Sequence, residues 1–176
     1  MGSEIEEKQT RFAIIRYLVD KLGDEGDVGK TKIQKIIYFL QEAFGVHLDY
    51  VYTMYYFGPY SDELDNDLLD MKLQDYLDIK PSPDGYGYHV HPGNEVIALI
   101  DDTIKPYARQ LDECVAKFGN FPALYLELLG TLYFVKHSED KPTEEEIIKK
   151  VKMLKPKFGM PVIKEYYEKL EGLVRV

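Results

Sequence analysis

Apolar residues recur at helical spacing near the start of the chain. Ile5, Phe12, Ile15, Val19 and Leu22 share one face of a helix predicted over 4–22, with Ile14 and Leu18 widening the stripe. The run Gly23-Asp24-Glu25-Gly26-Asp27-Val28-Gly29 ends it in a loop. Ile33, Ile36, Ile37 and Leu40 mark the buried face of a second helix over 31–44, closed by Gly45 as a C-cap. The pattern then changes. Tyr50 to Phe57 is rich in Tyr, Val, Thr and Phe and reads as a strand, which Gly58-Pro59 is expected to break. Ser61 is an N-cap, and Asp62 and Glu63 sit where the helix dipole favours negative charge. The helix it opens runs to about Asp75 and is expected to bury Leu64, Leu68, Leu69 and Met71. Leu77 to Lys80 and Tyr86 to Val90 read as two short strands around the turn Pro81-Ser82-Pro83-Asp84-Gly85.

The second half is helical throughout. Asn94 is read as the cap of a helix from Glu95 towards Phe118, with a kink or break near Lys105 because Pro106 removes a backbone donor and clashes with the preceding turn. Another helix spans 122–137. Thr143 and Glu146 form a capping box for a helix ending before Pro156, and Pro161 begins the last helix, to Glu171. Lys136 to Lys141 reads as a flexible connection. The fold class is therefore mainly α with a small β component (α+β). Its order of helix, helix, strand, helix and two-strand ribbon is that of a winged-helix-like core with additional packed helices. A single domain is expected, with 1–92 as the core and 93–176 as C-terminal helices packed on it.

Composition narrows the class. A chain of 176 residues that is 45% hydrophobic and 30% charged can build a real core. Its most apolar stretch, Phe121 to Val135, is interrupted by Glu127, so no membrane span is predicted. The acidic start is not that of a secretory signal, and Cys114 is the single cysteine, so a reducing, cytoplasmic setting is expected. The net charge of −9 opposes non-specific binding to duplex DNA, which requires Lys and Arg against phosphates. The 15 tyrosines suit both a core and a protein interface.

Candidate chemistry is sparse. Gly26-Asp27-Val28-Gly29-Lys30-Thr31 resembles a phosphate-binding loop, but the glycine that motif needs five positions earlier is Asp24, and the acidic loop would repel phosphate. His89 and His91 alternate on one strand and face the same side, two ligands where zinc needs three or four; His47 and His137 are remote. Asp62, Glu63, Asp65, Asp67 and Asp70 lack calcium-loop spacing and read as a solvated helix face. With Asp75 they set six carboxylates against Lys72 on the helix that would read a DNA groove. Lys149, Lys150, Lys152, Lys155 and Lys157 form the main basic cluster, read first as complementing a helix C-terminus. Cys114, beside Leu111 and Val115, reads as a buried structural thiol. No catalytic, cofactor-binding or metal-binding set emerges.

One family resemblance is carried by Lys32-Ile33-Gln34-Lys35-Ile36-Ile37-Tyr38-Phe39-Leu40, then Gly45, the aromatic strand Tyr52 to Tyr56, the corner Phe57-Gly58-Pro59-Tyr60-Ser61, and Leu64, Asp67 and Leu68. This pattern resembles the Panacea domain family, also called SocA-like. It is most similar to the YwgA-like branch, where Gly-Pro-Tyr-Ser is typical; Tyr60 departs from the antitoxin branch, which more often has valine after Gly-Pro. The resemblance covers mainly 30–88. It implies action by binding proteins, as an antitoxin or as an adaptor bringing a toxin to a protease, with no catalytic residues and no cofactor.

The expected function is thus a non-enzymatic protein-binding regulatory module, with a toxin encoded nearby as the partner. Tyr55, Tyr56, Phe57 and Tyr60 would present an aromatic surface, although strand alternation would turn half of them to the core. Gly58, Pro59 and Ser61 form the structural motif. The alternative expectation is a winged-helix-like DNA-binding transcriptional regulator, and a third is a hydrolase or metal enzyme using His89 and His91.

Overall fold

The computed structural model describes residues 2–23, 28–138 and 140–174. Helix α1 spans Gly2–Gly23 and α2 spans Lys30–Glu42. Strands β1, Thr53–Tyr55, and β2, Gly58–Tyr60, precede α3, Asp62–Leu73. Strands β3, Leu77–Pro81, and β4, Tyr88–Pro92, form the ribbon. Then come α4, Ile100–Ile104, a 3₁₀ turn over Lys105–Tyr107, α5, Ala108–Phe118, α6, Ala123–Lys136, α7, Glu144–Leu154, and α8, Met160–Val174. Across the described residues the protein is mainly helical, with two small antiparallel sheets of two strands each.

Helix ends follow local chemistry. Gly45, at φ +69°, supplies the left-handed residue after α2, and Val46 N–H donates back to Leu40 O at 3.2 Å. Ser61 Oγ accepts from Leu64 N–H at the start of α3. The capping box at Thr143 is complete, with Glu146 reaching back to the Thr143 N–H. Pro106 breaks the α4–α5 stretch within the 3₁₀ turn.

Three expectations are corrected. Gly58-Pro59 does not end the extended segment; it starts β2, which pairs back on β1 with Met54 opposite Pro59. In a two-stranded ribbon the missing proline donor needs no third strand. Leu69 is 53% exposed, and Asp67 takes an inward place on α3 instead. Residues 95–99 are not helical. Asn94 bonds Asp75, Arg16 Nη1 donates to Tyr76 O and Glu95 O, and Leu99 adopts φ +55° before α4 begins.

One cluster of buried side chains runs through the described residues. Helix α6 is buried on most of its surface and packs against α2, α7, α8 and β2. Phe39 of α2 stacks on Phe118 of α5 at 4.1 Å between ring centres. Phe12, Ile15, Val19 and Leu22 of α1 complete the core, as their spacing predicts, whereas Ile5, expected on the same face, is exposed at the start of the helix. The connection at Lys136–Lys141 lies partly outside the described residues.

Candidate functional site: an aromatic corner on a buried lysine cluster

The corner is a tight hairpin whose turn is Tyr56-Phe57, since Tyr55 pairs with Gly58. Gly58 has φ +87°, a conformation costly for any residue with a Cβ. A Cβ there would also meet Glu127 O at 3.2 Å and Lys35 Cε and Thr131 Oγ1 at 3.3 Å. The hairpin therefore lies directly on α6, where Pro59 covers Gly130. Gln34 of α2 grips the next residue twice: Ser61 N–H donates to Gln34 Oε1 at 3.0 Å, and Gln34 Nε2 donates to Ser61 O at 2.9 Å.

Beneath the corner lies a cluster of charges. Lys35 is 1% exposed, and its Nζ donates to Pro59 O at 2.6 Å. Glu127 and Lys155 are buried as well. Lys157 Nζ donates to Glu127 Oε2 at 2.8 Å, while Lys155 Nζ stands 3.0 Å from Glu127 Oε1 in a charge contact outside hydrogen-bond alignment. Lys155 also donates to the backbone oxygen of Tyr56 and, at 3.4 Å, to that of Tyr55. Two ammonium groups thus contact one carboxylate, and the third, Lys35, feels its charge without pairing to it. Burial pulls Lys35 down to about 7, with Glu127 opposing the shift and Lys155 reinforcing it.

The corner aromatics face outward. Tyr55, Tyr56 and Phe57 are 59%, 77% and 53% exposed, and Tyr60 is half-buried against Tyr55 at 5.3 Å. The expectation that half of the four enter the core is therefore corrected. A two-residue turn at the tip projects Tyr56 and Phe57 away from the sheet instead of alternating them across it. Lys155 Nζ lies 6.0 Å from the Tyr56 ring centre, and Lys157 Nζ lies 5.8 Å from that of Phe57.

A cleft of about 220 Å³ opens between this corner and β4. Tyr55, Phe57, Gly58 and Tyr60 line it from the hairpin, Tyr88 from β4, Asp65 from α3, and Lys30, Thr31, Gln34 and Lys35 from α2. Lys30 Nζ pairs with Asp65 at 2.5 Å and lies 5.4 Å from the Tyr88 ring centre. Burial and the neighbouring Asp65 push the Tyr60 hydroxyl up to about 12.

The other candidates resolve differently. His89 and His91 stack 6.4 Å apart, and His89 Nε2 is 2.6 Å from Ser82 Oγ. Among the described residues no group of three or more His, Cys, Asp or Glu could hold a metal ion. Asp24 to Asp27 of the phosphate-loop lookalike lie outside the described residues; Gly29 bridges to His89, and Lys30 opens α2. The acidic α3 is only partly a solvated face: Asp67 is buried, Asp70 pairs with Lys8 and Asp65 with Lys30. The basic cluster divides too. Lys152 binds the backbone oxygens of Pro156 and Phe158 beyond the end of α7, Lys149 pairs with Glu145, and Lys155 and Lys157 turn to Glu127. The Cys114 thiol is buried, which pushes it well above the ordinary thiol range.

Sequence reasoning missed Lys35, Glu127 and Lys155 as one unit. The available signal was Glu127 interrupting the most apolar stretch of the chain, since a carboxylate there must meet a cation. No family model matches this chain, and no curated protein matches it. No helix among the described residues is long and apolar enough to cross a membrane.

Proposed function

We propose that this chain is a non-enzymatic protein-binding regulatory module of the cytoplasm that docks its partner on the corner formed by Tyr55, Tyr56, Phe57 and Tyr60. The observation that carries the reading is the exposure of three consecutive aromatic side chains on a turn anchored from below by Lys155, Lys35 and Gln34. Large aromatic rings held rigidly in water lose little further entropy on binding, and such residues dominate interface energetics. Met153 and Leu154, the exposed last residues of α7, directly precede Lys155 and add apolar surface. The resemblance to the Panacea family points the same way, to the neutralising half of a toxin pair or to a proteolytic adaptor. A DNA-reading role has less support, because Asp62 and Glu63 lie exposed at the start of the helix that would enter the groove.

Co-expression with the product of the adjacent gene, followed by affinity purification and a growth assay, tests this reading. A stoichiometric complex that relieves toxicity is expected. Absence of both a complex and any effect on growth would contradict it.

A further inference from the structure

We propose that the cleft between the corner and β4 binds a single-ring aromatic carboxylate, with its ring among Tyr55, Phe57, Tyr60 and Tyr88 and its charge answering Lys35. The volume of about 220 Å³ is below the roughly 300–1,000 Å³ of drug-sized sites, which suits one ring. Four aromatic side chains from two separate hairpins supply the walls. The charge of the occupant follows from an ion inventory. Asp65 at the rim is matched by Lys30, and the charge of Glu127 is matched by Lys155 and Lys157. Lys35 is left with three N–H donors and, among the described residues, one acceptor, the Pro59 backbone oxygen. A cationic occupant would add to this surplus, whereas a carboxylate would offset it. Helix α2 contributes in the same sense, since its first turn holds no acidic residue and Gly29 gives it no side-chain cap.

The groups facing Lys35 set the pH behaviour. They are the Pro59 oxygen on β2, Glu127 on α6, Lys155 and Lys157 after α7, and the Lys30–Asp65 pair with Tyr60 at the rim. Free Lys35 loses its proton near pH 7. A bound carboxylate favours the charged form, so binding above neutrality takes up a proton and weakens as pH rises.

Titration with benzoate, followed by NMR shifts of the corner residues at pH 6.5, 7.5 and 8.5, tests this. Saturable binding that weakens roughly 25-fold across the series is expected from linkage to a group titrating near 7. Benzyl alcohol, with the ring but no charge, is expected to bind more weakly and without pH dependence. Lys35→Met is expected to weaken benzoate at least tenfold and abolish the pH dependence. If that variant does not fold, the benzoate and benzyl alcohol comparison on the unmodified protein decides alone. Absence of saturation, or benzoate affinity independent of pH, overturns the proposal. N-acetylphenylalanine amide, with a ring and peptide groups but no carboxylate, binding as tightly as benzoate would also overturn it. Tyr56→Ser is expected to leave benzoate affinity unchanged, because Tyr56 does not line the cleft, which separates this site from the docking role of the corner.

Discussion

Among the described residues, an ionic cluster around Asp67 and another around Glu127 tie elements of the fold together, and they are balanced in opposite ways. Asp67 on α3 receives Arg11 Nε and the Tyr50 hydroxyl, each at 2.7 Å, and the Arg11 guanidinium lies over the Tyr50 ring. One carboxylate meets one cation and a neutral phenol. Despite the burial that opposes it, the contact with Asp67 raises Arg11 above its ordinary range, and burial with Asp67 raises Tyr50. Under the corner, Glu127 faces Lys35, Lys155 and Lys157, and the most buried of these lysines is pushed down. A closed ion pair fixes one helix on another. An open cluster also holds backbone in place, but it keeps excess positive charge beneath the surface it supports, where a ligand or a change of pH can act on it.

The contrast is sharpest at Glu127. Glu127→Gln removes the carboxylate that pairs with Lys155 and Lys157 and is expected to destabilise by about 3–5 kcal/mol, read from urea unfolding. Adding Lys155→Met should restore part of that loss, whereas simple additivity would show that the two residues are not coupled. Asp67→Asn in the balanced cluster keeps a hydrogen-bond acceptor and is expected to lose less, about 2 kcal/mol in the same assay. Gly58→Ala should lose about 2 kcal/mol through its positive φ and the backbone of Glu127, a loss that a flexible, loosely seated hairpin would not show.

The pH dependence of stability separates the clusters next. Folded Lys35 releases its proton at about 7, against 10.5 as an ordinary lysine. Between these values the unfolded chain binds more protons, so stability attributable to Lys35 rises with pH across the window and is flat below it. Urea midpoints from pH 7 to 10 are expected to carry a slope of order 1 kcal/mol per pH unit that Lys35→Met removes. The smallest effect belongs to the tip itself. Tyr56→Ser should change stability by less than about 0.5 kcal/mol, because the ring is exposed.

Much of this architecture is legible locally. Ser61, Thr143 with Glu146, and Pro106 act on their own neighbours, so the caps and the break follow from short-range chemistry. The face of α1 is legible as well, because an amphipathic helix needs only its own period. Residues 95–99 are not, because Arg16 and Asp75, distant in sequence, claim the backbone and side chain that would have started a helix. Leu69 fails for a related reason: α3 buries a narrower stripe than its leucines suggest, and Asp67 uses part of it. In the site, the positive φ of Gly58 and the cap of Ser61 are visible from residue type, whereas the place of Pro59 in β2 is not. The cluster below them is not, since Lys35, Glu127 and Lys155 belong to three separate parts of the chain that only the packing of α6 against α2 and α7 brings together.

In the proposed function, the corner serves docking rather than folding. The most direct test of this role is co-purification of the adjacent gene product with the wild-type chain and with a Tyr56→Ser/Phe57→Ser double variant, alongside thermal melts of both. Melting temperatures within a few degrees of each other, with loss of the complex only in the variant, are expected. A complex that survives the double substitution, or a variant that loses the complex because it no longer folds, would contradict the docking role.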